Sequence, residues 1–233
     1  MAVVSDPDRP TLEVARLAVF CDFDGTFAAT DVGMTLARTY SADRIPAAKA
    51  ALLRGEFDAW QFTCALLDDL PLPQVELDHF LASVELDPGA HDLLAWCAAR
   101  AVPFRILSDG FDAILDTLRA RHGVPFAYDA NHLVMHGERW RITPGHRDPS
   151  CFCGTGTCKR GRIAAWRTAH PGAFCVHIGN GRISDLCGAV EADLVFAKDS
   201  LAHALAGRGA PYQPFTTLHD VIAGLDAALA AAP

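Results

Sequence analysis

The 233 residues predict an α/β fold, a parallel sheet flanked by helices that is interrupted by an all-helical insert and a small β-hairpin. Three observations carry that prediction. Short runs rich in Val, Ile, Leu and Phe recur at strand length, segments of helical spacing separate them, and polar turns containing Gly or Asp fall where the runs stop. Composition agrees, with 51% hydrophobic and 21% charged residues, the balance of a chain that buries a core. The 20 Lys and Arg against 28 Asp and Glu give a formal net charge of -8, and the basic residues are scattered. A nucleic-acid partner is therefore not expected. No apolar run approaches the ~18–20 residues of a bilayer span, and the first ten residues lack the basic-then-apolar order of a leader. The expectation is a cytoplasmic protein with no membrane partner; the oligomeric state is not legible.

Each element has its own justification. Residues 17–21, 102–107, 174–178 and 194–197 are the apolar runs read as strands. Helical spacing marks 89–100, 111–121, 159–169, 185–191 and the Ala-rich tail from Thr217, whose last residues are expected to fray. Alternation fails between 30 and 86, where helices are expected around 31–40, 45–54, 57–70 and 74–83, punctuated by Pro71 and Pro73. Residues 1–29 and 87–233 then form the core domain and 30–86 a helical lid domain. Within 126–143, two apolar stretches flanking His136-Gly137-Glu138 read as the hairpin.

The sharpest chemical feature is Asp22-Phe23-Asp24-Gly25-Thr26, where the first strand runs out. Residues two apart on a strand share a face, so both carboxylates project together. Side by side they repel, and they stay ionised only beside a cation unless one holds a proton; either state suits catalysis. Alone, the pair also fits a turn in which Asp and Gly supply local hydrogen bonds. The same geometry recurs, however. Residues 102–107 end in Ser108-Asp109-Gly110, a hydroxyl with amide groups beside it that can hold an anion, and 174–178 end in a segment bearing Asn180 and Asp185. Lys159 opens a helix, where a cation gains nothing from the helix dipole. Carboxylates, a hydroxyl and a lysine gathered at strand ends make an apparatus for phosphoryl transfer.

Those four segments, in this order, resemble the motifs of the haloacid dehalogenase superfamily of phosphatases. The 86 residues between Asp22 and Ser108 (108 − 22 = 86) leave room for the helical C1-type cap of the phosphoserine-phosphatase-like branch. Within that branch the chain is most similar to the phosphatases of methionine salvage and of phosphoethanolamine and phosphocholine hydrolysis. That similarity rests on Asn131-His132, the Cys-rich stretch ahead of Lys159, the segment from Asp193 to Lys198 and the segment from Pro211 to Phe215. The resemblance implies a Rossmann-like core and a phosphomonoester hydrolase of a small phosphorylated metabolite. It implies further that Asp22 forms an aspartyl phosphate, with Asp24 as general acid and base. Ser108, Asp109, Gly110 and Lys159 would bind phosphate, and Asp22, Asp24, Asn180 and Asp185 would hold Mg²⁺.

The last motif departs from the family pattern, because Asn180 stands where an aspartate is usual. An amide oxygen ligates a hard cation without formal charge, so weaker metal binding is expected, carried mainly by Asp22 and Asp185. The same asparagine keeps open a catalytically attenuated phosphoester-binding protein, beside the phosphotransferase or mutase that the same apparatus would support. Cys151, Cys153 and Cys158 cluster in a Gly-rich loop five residues after His146 (151 − 146 = 5). Together with that histidine they read either as a structural Zn²⁺ site or as a flexible loop of free thiols. His177 reads as a packed, hydrogen-bonded side chain, and Arg54, Glu56, Phe57 and Trp60 are the residues expected to touch the organic part of the substrate.

Overall fold

The computed structural model describes residues 12–231. The amino-terminal segment, over which no leader was expected, and the last two residues of the tail lie outside them. Seven strands form one sheet in the order β4-β3-β2-β1-β5-β6-β7. In chain order the elements are β1 (Leu17–Cys21), α1 (Val32–Tyr40), α2 (Ile45–Leu53), α3 (Ala59–Leu67), α4 (Gln74–Leu81), α5 (Ala90–Ala99), β2 (Phe104–Phe111), α6 (Asp112–His122), β3 (Ala127–His136) and β4 (Arg139–Thr143). They continue with α7 (Lys159–Ala169), β5 (Phe174–Gly179), α8 (Leu186–Glu191), β6 (Leu194–Ala197), α9 (Asp199–Ala206), β7 (Gln213–Pro214) and α10 (Leu218–Ala230). Among the described residues no helix is long and apolar enough to cross a membrane.

β1 is buried at all five positions because both of its faces are covered. Leu17, Val19 and Cys21 point into the large core shared with α5, α6, α10 and the helices between β1 and α5, while Ala18 and Phe20 point the other way, onto Ile163 and Trp166 of α7. This three-layer burial explains why the run reads as continuously apolar rather than alternating. β1 pairs in parallel with β2 on one side and β5 on the other. The chain therefore reverses its direction of travel across the sheet beside β1, and ligands of open α/β sheets bind at the carboxyl end of such a strand.

After β1 the chain makes one wide turn through Phe23–Phe27, with Phe27 N–H donating to the Asp22 carbonyl and Ala28 N–H to the Phe23 carbonyl. Gly25 has φ +70°, a conformation that favours glycine, and a Cβ there would lie 2.5 Å from Asn180 Nδ2, which would have to move. The outgoing and returning strands of the helical insert then pair: Ala29 N–H donates to the Glu85 carbonyl and Asp87 N–H to the Phe27 carbonyl, both at 2.9 Å.

The structure differs from the sequence expectation at β2, at the β3–β4 hairpin, and at α9 and β7. β2 continues past Leu107 to Phe111, through a register shift against β3. The expected hairpin insert belongs to the sheet itself, since β3 pairs in parallel with β2 as far as Asn131 before pairing antiparallel with β4 from His132 onward. α9 and β7 were not anticipated; β7 has only two residues, too few for any periodicity to show.

Candidate active site

The three polar strand ends converge at the carboxyl edge of β1, β2 and β5. Asp22 is buried and accepts from Thr26 Oγ1 at 3.2 Å through one oxygen and from Lys159 Nζ through the other. Lys159, fully buried at the start of α7, also donates to Asp185 Oδ1 at 2.6 Å. Asp185 has no capacity left: Oδ1 additionally meets His177 Nε2 at 3.2 Å, and Oδ2 accepts from the Asn180 and Gly181 amides at 3.2 and 2.8 Å. Gly179 makes this approach possible, because a Cβ there would lie 2.5 Å from Asp185 Cγ.

Asp24 leaves the wide turn towards α1. Its Oδ1 accepts from the Val32 and Gly33 amides at 2.8 and 3.1 Å, at the positive end of that helix. Its Oδ2 receives a long contact of 3.5 Å from Ser108 Oγ, which itself accepts from Gly110 N–H at 2.9 Å.

The electrostatics follow from burial of three carboxylates beside one ammonium. Burial first and Asp185 second push the Asp22 carboxyl up to about 8 against the pull of Lys159. Burial and Asp31 raise Asp24 to about 7, opposed by the two α1 amides. Burial works against the Lys159 ammonium, yet Asp185 and Asp22 outweigh it and hold the group above its ordinary range. Burial likewise opposes ionisation of Asp185, and Lys159 with His177 outweighs it in the other direction. With all three carboxylates ionised, the one ammonium would leave an excess of two negative charges, which a divalent cation would offset. Hard oxygen donors for such an ion face the cavity on Asp22, Asp24 and Asn180. Asp185, expected as a principal ligand, is turned away and spends its oxygens on Lys159, His177 and the backbone.

The cavity above these groups has a volume of about 340 Å³. Its floor includes Asp22, Asp24, Asp109, Gly110 and Asn180, and its roof is mostly apolar: Met34 of α1, Leu52 of α2, and Phe62, Leu66 and Leu67 of α3, with Thr63 the polar member. None of the four residues expected to touch substrate lines it. Arg54 and Glu56 pair with each other at 2.6 Å on the exposed surface, while Trp60 packs across Gly156 in the loop before α7. Phe57, the fourth, is likewise absent from the cavity wall. The true roof residues sit at spacings that also read as ordinary helix core, so sequence pattern had no means of separating them.

Two further placements bear on the sequence reading: Asp109 lines the cavity beside Gly110, and His146 lies away from the cysteine cluster. The Asp109 side chain, expected to bind phosphate, accepts through Oδ1 from Asn131 Nδ2 at 3.0 Å, Gly156 N–H at 2.9 Å and Thr157 N–H at 3.1 Å. It ties the β2 end to the loop carrying Lys159. Burial still lifts its carboxyl to about 6 despite those donors. His146, expected beside the three clustered cysteines, instead faces Asp129 at 3.4 Å; the residue that joins Cys151, Cys153 and Cys158 is Cys187 of α8. A signal for it existed, since Cys187 lies two positions beyond Asp185 in the last motif, but only the packing of α8 on α7 brings it there.

Comparison with known proteins places this geometry. The haloacid dehalogenase-like hydrolase family matches residues 19–189. A 2-hydroxy-3-keto-5-methylthiopentenyl-1-phosphate phosphatase of Geobacillus kaustophilus is 30% identical over 213 residues, covering 90% of this chain and 96% of that protein. The protein of the same name from Brevibacillus brevis is also 30% identical, covering 89% and 94%. Among solved structures, a phospho-aspartyl intermediate analogue of phosphoserine phosphatase superposes with a TM-score of 0.65 at 16% identity, over 89% of this chain and 97% of that one. A probable phosphoserine phosphatase from Vibrio cholerae reaches 0.70 at 16% identity, over 95% of this chain and 68% of that one. The family match spans most of the chain and the fold agrees with it, so this protein belongs to the haloacid dehalogenase-like hydrolases, among their phosphatases.

Proposed function

We propose that this phosphatase hydrolyses a small phosphomonoester with an uncharged, apolar organic part, through covalent catalysis on Asp22 beneath the helical insert acting as a cap. The observation that carries the reading is the contrast between floor and roof of one cavity: carboxylates below, Met34, Leu52, Phe62 and Leu66 above, with the Lys159 ammonium buried behind Asp22 and outside the cavity wall. An Asp22 oxygen attacks phosphorus, the bond from phosphorus to the ester oxygen breaks, and Asp24 gives its proton to the departing oxygen. Asp24 then takes a proton from the water that attacks the aspartyl phosphate, which releases phosphate and restores Asp22. A group near pH 7 is suited to both proton transfers, and Asp24 is raised to about 7. Lys159 offsets charge on Asp22 throughout, and Ser108 Oγ with the Gly110 amide would receive a phosphoryl oxygen, the amide turning from its bond to that hydroxyl. Mg²⁺, general in this family, would be held by Asp22, Asp24 and Asn180 and would supply charge neutralisation.

The apolar roof favours a substrate such as the methylthiopentenyl phosphate named for the bacterial relatives. It disfavours phosphoserine, because among the described residues no cationic side chain lines the cavity to meet a carboxylate. The test is phosphate release from a panel that includes thioether enol phosphates, alkyl phosphates, phosphoserine and phosphocholine. Apolar esters should lead the panel, Asp22→Asn should be inactive, and mass spectrometry of quenched Asp24→Asn should show one added phosphoryl group. Turnover retained by Asp22→Asn would remove the covalent mechanism, and preference for phosphoserine would remove the substrate assignment.

A further inference from the structure

Four thiols meet behind the active site. The Sγ atoms of Cys151, Cys153, Cys158 and Cys187 all lie within 4.8 Å of one another, every one of the four residues is buried, and none is in a disulfide. In a tetrahedral tetrathiolate with metal–sulfur bonds of about 2.3 Å, sulfur atoms stand about 3.8 Å apart. The observed cluster needs only a small contraction to reach that geometry. Its surroundings suit thiolates as well. Cys158 caps α7 and accepts from Gly161 N–H at 3.4 Å, Cys153 accepts from Thr155 Oγ1 at 3.2 Å, and Cys187 is met by the Arg160 amide. The Arg160 guanidinium lies within electrostatic reach of Cys151, Cys158 and Cys187 and pairs with Asp148 at 3.6 Å. Four buried sulfurs converging on one point, supplied with N–H and O–H donors and no other ligand type, form a soft-cation site.

We propose that Cys151, Cys153, Cys158 and Cys187 bind one Zn²⁺ as a structural tetrathiolate centre, distinct from the carboxylate site that handles phosphate. Binding releases the thiol protons to solvent and leaves a dianionic centre, which the amide donors, the α7 amino terminus and Arg160 offset. The ion joins three segments that the active site needs in register. Cys158 immediately precedes Lys159, and Cys187 follows Asp185 by two residues. The loop holding Cys151 and Cys153 meets the insert, where the Gly154 carbonyl accepts from Trp60 N–H at 2.8 Å and Arg147 pairs with Asp58. It also supplies the Gly156 and Thr157 amides that Asp109 accepts.

The experiment uses the full chain, purified by ion exchange without a metal-binding tag from zinc-supplemented medium. Elemental analysis should give one zinc per chain, unchanged in His146→Ala and in Asp22→Asn and lost in Cys187→Ser. Replacement by Co²⁺ should give the intense visible bands of tetrahedral cobalt with sulfur-to-metal charge transfer in the near ultraviolet. At free zinc 1,000 times its dissociation constant the melting temperature should rise by about 8–16 °C over the metal-free chain. Should Cys187→Ser fail to fold, the Co²⁺ spectrum of the parent chain still decides, because oxygen and nitrogen ligands give no such charge transfer. A zinc-free chain whose melting temperature ignores added zinc would overturn the proposal. So would an intact mass lowered by the hydrogens of a disulfide, or zinc lost on His146→Ala.

Discussion

Substituting Lys159→Met keeps an unbranched side chain one atom shorter and removes the charge. Lys159 is fully buried and donates to Asp22 and, at 2.6 Å, to Asp185. Removing one partner of a buried ion pair costs about 3–5 kcal/mol, because the remaining charge stays uncompensated. The cost depends on pH in a direction that the carboxylates fix. In the parent chain Asp185 is held below the ordinary range, burial opposing but Lys159 and His177 prevailing, so it is ionised both folded and unfolded near neutrality. Without the ammonium, burial and Asp22 prevail and folded Asp185 carries a proton that the unfolded chain does not. A carboxyl raised in the folded state loses stability as pH rises, by about 1.4 kcal/mol per pH unit. From about pH 5.5 to about pH 8 this amounts to about 3.4 kcal/mol, so the variant lies 3–5 kcal/mol below the parent at the higher pH and within about 1–2 kcal/mol at the lower. Asp22, raised to about 8, titrates in both proteins and largely cancels. Urea unfolding followed by tryptophan fluorescence, in magnesium-free buffer at both pH values, measures the difference. A destabilisation that is equal at the two pH values, or below about 1 kcal/mol at pH 8, refutes Lys159 as the counter-ion of this pair.

Asn180→Asp adds an anionic oxygen beside Asp22 and should lower the Mg²⁺ concentration for half-maximal turnover by about tenfold; an unchanged Mg²⁺ titration would show that Asn180 is not a ligand. Phe62→Ala opens the apolar roof and should raise KM for an apolar ester by about tenfold while leaving acetyl phosphate unaffected. Equal effects on both compounds would place Phe62 outside the substrate contact. Trp140 is fully buried and its Nε1 donates to the Leu72 carbonyl at 3.0 Å. Trp140→Phe strands that carbonyl and should cost about 1–3 kcal/mol, read as a melting temperature lower by about 2–12 °C.

The fold and the floor of the site were legible because each rests on local chemistry. β1, β6 and α7 match their sequence readings residue for residue, since a doubly covered strand must be apolar throughout and a helix opened by a buried lysine has an abrupt start. Asp22, Asp24, Ser108 and Asp185 stood out because strand ends present polar residues close after apolar runs, and Lys159 because a cation at a helix start gains nothing from the helix dipole. The roof was not legible. Met34, Phe62 and Leu66 differ from core residues only in facing empty space, which no spacing records. Arg54 and Glu56 drew attention as charges near a glycine and proved to satisfy each other. His146 was grouped with the three cysteines for nearness along the chain, whereas the approach of α8, and with it Cys187, to α7 is a long-range fact.

The two outer strands of the sheet have a consequence for how this chain behaves in a crowd. Free strand edges recruit other chains, and here both are blunted. β4 spends its outward backbone groups at Trp140 on Asp69 and Leu70 of the insert, while Arg139 and Arg141 hold Asp69 in ion pairs. At the opposite edge β7 is two residues long and ends in Pro214, which has no N–H to offer. The insert thus guards the apolar sheet against lateral growth, and damage at Asp69 would surface as aggregation before it surfaced as lost turnover.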